Sequence, residues 1–88
     1  MVERTVQIVN KQGLHARPAA EIVKVSARFK SEITLVKEGM EVNAKSIMGV
    51  MMLAAECGSS LTLRASGADA DDALEALAAL IANKFGER

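Results

Sequence analysis

The 88-residue chain has one histidine, one proline, one cysteine, and neither tryptophan nor tyrosine. A single cysteine, Cys57, cannot form an internal disulfide, so the fold requires no oxidising compartment. Phe29 and Phe85 are the only aromatic residues. The core must therefore be built from Val, Ile, Leu, Ala and Met, and the chain offers no aromatic platform for bases. Eleven basic residues balance eleven acidic ones without a basic block, which argues against direct nucleic-acid binding. One histidine and one distant cysteine have no metal-ligand spacing, and no cofactor is expected. The opening "MVERTVQIVN" is too polar for a signal peptide, and no apolar run approaches membrane-spanning length. A cytoplasmic protein without membrane insertion is expected, and its length suits one domain over residues 1–88.

What is present is clear patterning. Residues 2–9 nearly alternate, with Val2, Val6 and Ile8 on one side and Glu3, Thr5 and Gln7 on the other, as in a half-buried strand. Residues 16–29 have helical periodicity, with Ala20, Val23 and Ala27 as the expected apolar stripe. Residues 32–43 predict a hairpin turning at Gly39, and residues 60–65 a further strand with Leu61 and Leu63 inward. Asp69 is the expected cap of a last helix whose apolar face is Leu74, Leu77 and Ile81, with Lys84 in its last turn and Gly86 at its end. Between the hairpin and the last strand, Ser46 would start a helix and Gly58 would end it. The order is βαββαβα. Each strand has one polar side, so the fold expected is α+β: an antiparallel sheet, open on one face and covered by helices on the other.

The histidine and the proline both lie in "GLHARPAAE", residues 13–21. Pro18 fits the first helical turn, where its missing N–H costs nothing. His15 then sits at or beside the N-cap, among free amides and the positive end of the helix dipole, with Arg17 adding a guanidinium suited to phosphate oxygens. Such surroundings favour a neutral imidazole, which is a nucleophile, and they would receive a phosphoryl group's charge. The helix terminus contributes about 0.3–1 kcal/mol, a scale that suits a carrier better than a trap. Taken alone, a histidine and an arginine at a helix start more often mark an ordinary capping or surface histidine.

The segment "SIMGVMML", residues 46–53, is apolar almost all round. It is either a fully buried helix or a helix exposing Met48 and Met51 to partners. A small two-layer domain favours the second, since each of its helices has an outer face, and methionine serves adaptable contact surfaces. Ser46 is a plain cap at least, and a phosphate there would meet the positive helix start. Cys57, with no activating charge cluster around it in sequence, is expected to be a small buried or partly buried residue.

"GLHARPA" at 13–19 and "KSIMGVM" at 45–51 resemble the two signatures of the HPr family, the histidine-containing phosphocarriers of the bacterial sugar phosphotransferase system. The resemblance spans essentially the whole chain. It implies an open-faced β-sandwich with a four-stranded antiparallel sheet covered on one face by three helices. It further implies that His15 is phosphorylated on Nδ1 by Enzyme I at the expense of phosphoenolpyruvate, and passes the group to Enzyme II A domains without being an enzyme itself. Arg17 matches the family's phosphate-stabilising arginine. Ser46 matches the serine modified by HPr kinase/phosphorylase, a modification that promotes binding to a catabolite-control regulator. Ala20, Lys24, Ile47, Met48 and Met51 match its partner-binding face. A monomer is expected. The competing readings are a phosphocarrier of the nitrogen-related branch, a regulatory protein controlled at Ser46, and a binding domain without covalent chemistry.

Overall fold

The alternating segments pair into one antiparallel sheet. In the computed structural model, which describes residues 1–87, the strands are β1 (Val2–Gln7), β2 (Glu32–Lys37), β3 (Met40–Asn43) and β4 (Ser60–Ser66), in the order β1-β4-β2-β3. β4 is central: Leu63 lies opposite Arg4 on β1 and Leu35 on β2. The β2–β3 hairpin turns through Glu38 and Gly39, both with positive φ, the backbone a two-residue turn needs to match strand twist.

One face of the sheet is covered. Ile33, Leu35, Leu61, Leu63 and Ala65 are buried there, together with Leu74, Leu77 and Ile81 of α3 (Ala70–Ala82) and Ile22 of α1 (Ala16–Ala27). Each fully buried Leu or Ile contributes about 1.5–3 kcal/mol relative to exposure. α3 lies along β1 and β4, while α1 packs against α3 and against the short α2 (Ile47–Met52). The other face is open and polar. There Arg64 donates to Glu3 at 2.7 Å and to Glu41 at 3.2 Å, tying β4 to β1 and to β3. The open-faced, four-stranded, three-helix architecture is therefore the one expected.

Several local expectations are corrected. On α1 the buried stripe is Ala19, Ile22 and Ser26; Ala20 and Val23 are half-buried and Ala27 is exposed. The stripe is set by the packing of α1 against α2 and α3, which places the small polar Ser26 inside. α1 also ends at Ala27, two residues early. α2 stops at Met52 rather than continuing to Gly58: Leu53 is its C-cap, and Ala54 adopts φ +49, reversing the chain without a glycine. Cys57 consequently falls in the turn before β4 and is exposed. Asp69 occupies the N-cap position of α3 but makes no capping bond; its carboxylate accepts from the backbone N–H groups of Lys30 (2.8 Å) and Ser31 (2.9 Å) and from the Ser31 hydroxyl. Lys84 lies beyond α3, in a 3₁₀ turn over Lys84–Gly86.

Candidate functional site

The site is built around the loop before α1. Gly13 has φ +69, and a Cβ on it would collide with the carbonyl oxygen of Ala55. The backbone needs glycine here on both counts. The same carbonyl accepts the N–H of Leu14 at 2.9 Å, and the Leu14 side chain is buried. The loop is thus pressed onto the segment following α2, and the next residue, His15, is delivered to the surface.

His15 is the N-cap of α1, with extended backbone and no capping bond from its side chain. Its carbonyl accepts from Ala19 N–H at 3.0 Å, closing the first turn. Pro18 is the third helical residue and is buried. The imidazole is therefore free for other work. It is partly exposed (37%), and its Nε2 lies 2.9 Å from Oε2 of Glu87. Arg17 is more exposed (63%), with Nη1 3.7 Å from the same carboxylate oxygen. Lys11, Gln12, His15, Arg17, Gly86 and Glu87 line an open groove of about 440 Å³.

Two residues of this cluster were not anticipated from sequence. Glu87 follows the 3₁₀ turn, whose buried Phe85 anchors it to the core. Asn10 is fully buried, and its Nδ2 donates to the Gly13 carbonyl at 2.8 Å and to Glu87 Oε1 at 3.1 Å. Asn10 carried a signal in belonging to a polar turn. Glu87 carried none, because its role depends on the chain returning from the far end of α3. The Asn10 amide is the largest cause holding the Glu87 carboxyl below its usual range. Partial burial opposes it, and the His15 hydrogen bond and the charges of His15 and Arg17 add to it.

The second expected locus is a surface. Ser46 caps α2 through its Oγ, which accepts from Gly49 N–H at 3.1 Å. Ile47, Met48, Met51 and Met52 are exposed, whereas Val50 and Leu53 are buried. Of the two readings of this segment, the exposed one holds. Lys24 is exposed and Ala20 half-buried on α1, the helix α2 packs against. Among the described residues no group of three His, Cys, Asp or Glu could hold a metal, and no helix is long and apolar enough to cross a membrane.

Comparison with known proteins places this geometry in a context. Residues 2–83 match the family model described as the PTS HPr component phosphorylation site. The phosphocarrier protein HPr of Treponema pallidum is 54% identical over 87 residues, 99% of each chain. The crystal structure of HPr-C-His from Thermoanaerobacter tengcongensis superposes with a TM-score of 0.96 at 49% identity, covering 100% of this chain and 99% of that one. The Bacillus subtilis catabolite-repression protein Crh, described as a domain-swapped dimer, matches with a TM-score of 0.77 at 49% identity over 96% of this chain and 97% of its own.

Proposed function

The chain belongs to the HPr family, the non-enzymatic phosphocarriers of the phosphotransferase system, and from that premise we propose that His15 is the residue that carries the phosphoryl group. The observation carrying this reading is the placement of a partly exposed imidazole at the start of α1, beside Arg17, with Nε2 engaged by Glu87. That engagement leaves Nδ1 as the nitrogen to accept phosphorus, in agreement with what the resemblance implies. Arg17, exposed at the rim of the groove, stabilises the phosphoryl oxygens.

In this reading Enzyme I supplies the group from phosphoenolpyruvate and Enzyme II A domains receive it, in the sugar branch and in the cytoplasm. The docking face is Ala20, Lys24, Ile47, Met48 and Met51, whose flexible thioethers suit successive partners. Ser46 is the regulatory site for HPr kinase/phosphorylase, and its phosphorylated form binds a catabolite-control regulator. The protein acts as one domain and as a monomer. Likeness to Crh supports a second reading, a regulatory protein controlled at Ser46, but relatives of that kind lack the active histidine that His15 provides here.

The test is incubation with phosphoenolpyruvate and Enzyme I, followed by intact mass. Wild type gains one phosphoryl group and His15→Ala, still folded, gains none. An acid-labile phosphate retained on His15→Ala would falsify the assignment. Parallel incubation with the nitrogen-branch Enzyme I separates the branches by rate, and sedimentation separates a monomer from a strand-exchanged dimer.

A further inference from the structure

The carboxylate facing His15 has the geometry of more than an incidental ion pair. Glu87 is largely covered, its side chain only 16% exposed. Lys84 and Phe85 (both φ +56) and Gly86 (φ +76) form three successive left-handed residues that turn the chain back from α3. Two of the three are not glycine, a conformation that persists where the surroundings over-determine it, as buried Phe85 does here. The turn delivers Glu87 to Asn10 through Oε1 and to His15 through Oε2, with Arg17 Nη1 3.7 Å from that second oxygen.

Asn10 settles which way its own amide points. Both of its oxygen neighbours, the Gly13 carbonyl and Glu87 Oε1, are acceptors against an ionised carboxylate. Turning the amide over would oppose acceptor to acceptor, so Nδ2 is the atom that faces them. Asn10 therefore presents a fixed donor to position 87.

We propose that Glu87 is a positioning residue for phosphotransfer, holding His15 as the Nε2–H tautomer so that Nδ1 carries the lone pair that attacks phosphorus. The inference rests on the reading of His15 as the phosphoryl carrier. An ionised carboxylate can only accept, so the ring nitrogen facing it must donate; in a neutral ring the other nitrogen is then unprotonated. In the transfer, the bond between phosphorus and the donor's atom breaks with its electron pair going to the donor, while the Nδ1 pair forms the new P–N bond. No proton leaves the ring. It keeps Nε2–H and becomes cationic, with that charge lying against Glu87. Onward transfer returns the pair to Nδ1, and the ring is neutral again in the same tautomer. A carboxylate that orients an imidazole and stabilises its cation is a recurrent device.

Glu87→Gln gives a test with a direction. The fixed Asn10 donor takes the glutamine carbonyl oxygen, which leaves the glutamine N–H₂ facing His15 Nε2. That group needs an acceptor there, so the ring should switch to the Nδ1–H tautomer and lose its nucleophile at Nδ1. Two-bond ¹⁵N–¹H NMR of the neutral ring reads the tautomer directly. We expect Nε2–H in wild type, a switch to Nδ1–H in Glu87→Gln, and a mixture in Glu87→Ala. Enzyme I-dependent phosphorylation should slow in Glu87→Gln by about tenfold or more in kcat with KM little changed. An unswitched tautomer overturns the proposal, and so does a switched tautomer with wild-type kcat. The failure of the underlying reading looks different: wild type itself would take no phosphoryl group.

Discussion

Asp69 closes on Ser31 across 38 positions of the chain, accepting from both its N–H and its hydroxyl and thereby fastening the start of α3 to the start of β2. The Ser31 hydroxyl is the chief cause holding the Asp69 carboxyl below its usual 3.8, followed by the Lys30 N–H; burial opposes them and the Ser31 N–H adds to them. A depressed carboxyl stabilises the fold fully above its unfolded value and loses that contribution as pH falls through the lowered folded value. Wild type should therefore exceed Asp69→Asn in melting temperature at pH 7, with the gap narrowing below about pH 4. Paired thermal melts between pH 2 and 7 check this, and a gap independent of pH would assign the effect to packing.

Glu87 should behave in the same sense. Its carboxyl is depressed from 4.5, first by the Asn10 amide and then by His15 and Arg17 against opposing burial, and Lys11 and Lys84 lie in the adjoining grooves. Its hold on the loop should persist at neutral pH and fail as pH drops through the lowered value. The protection factors of the Gly13 and Leu14 amides, with exchange corrected for its intrinsic slowing in acid, should drop in that window in wild type and not in Glu87→Gln.

Arg17→Ala should leave stability within about 0.5 kcal/mol, because the side chain is exposed and its closest carboxylate contact is long. Removal of a charged donor from phosphoryl oxygens, about 1.5–3 kcal/mol, predicts phosphotransfer slower by about 10- to 100-fold. Denaturant melts and quench-flow rates check the two halves. An unfolded variant whose remaining folded fraction transfers normally would make the arginine structural.

Gly13→Ala should destabilise by about 1–3 kcal/mol, since the new Cβ meets the Ala55 carbonyl on a left-handed backbone. The Leu14–Ala55 bond should loosen with it, so phosphotransfer should fall even in the folded fraction.

Ser46→Ala should cost about 0.5–2 kcal/mol by losing the cap to Gly49, whereas Ser46→Asp retains a capping oxygen and should melt at or slightly above wild type. The aspartate should nevertheless slow Enzyme I-dependent transfer, by repulsion from an acidic partner and by the cost of burying its charge. Recovery with added salt marks the first cause, which is screened beyond about 8–10 Å. Equal rates at every ionic strength would leave Ser46 a plain cap.

Much of this was legible in local pattern. The strands declared themselves through Leu61 and Leu63 or Ile33 and Leu35, because alternation depends only on neighbours. His15, Pro18 and Ser46 were found for the same reason: helix starts have local chemistry. What failed was nonlocal. Ser26 is buried by the elements around α1 rather than by its own polarity. Ala54 ends α2 from a left-handed conformation its residue type does not announce. Asp69, a residue suited to capping, serves instead as an anchor for a turn 38 positions away. Glu87 reaches His15 across 72 positions, through a backbone reversal that no periodicity predicts.

The central place of β4 has a consequence in time. The β2–β3 hairpin can close as soon as it is synthesised, but β1 pairs only with β4, which begins at Ser60. During synthesis β1 is therefore a finished strand waiting for its neighbour, with both edges open, and the late arrival of β4 must close the longest loop of the sheet. Until β4 arrives, β1 can equally pair with the β4 of another copy, so strand exchange is the misassembly this topology permits.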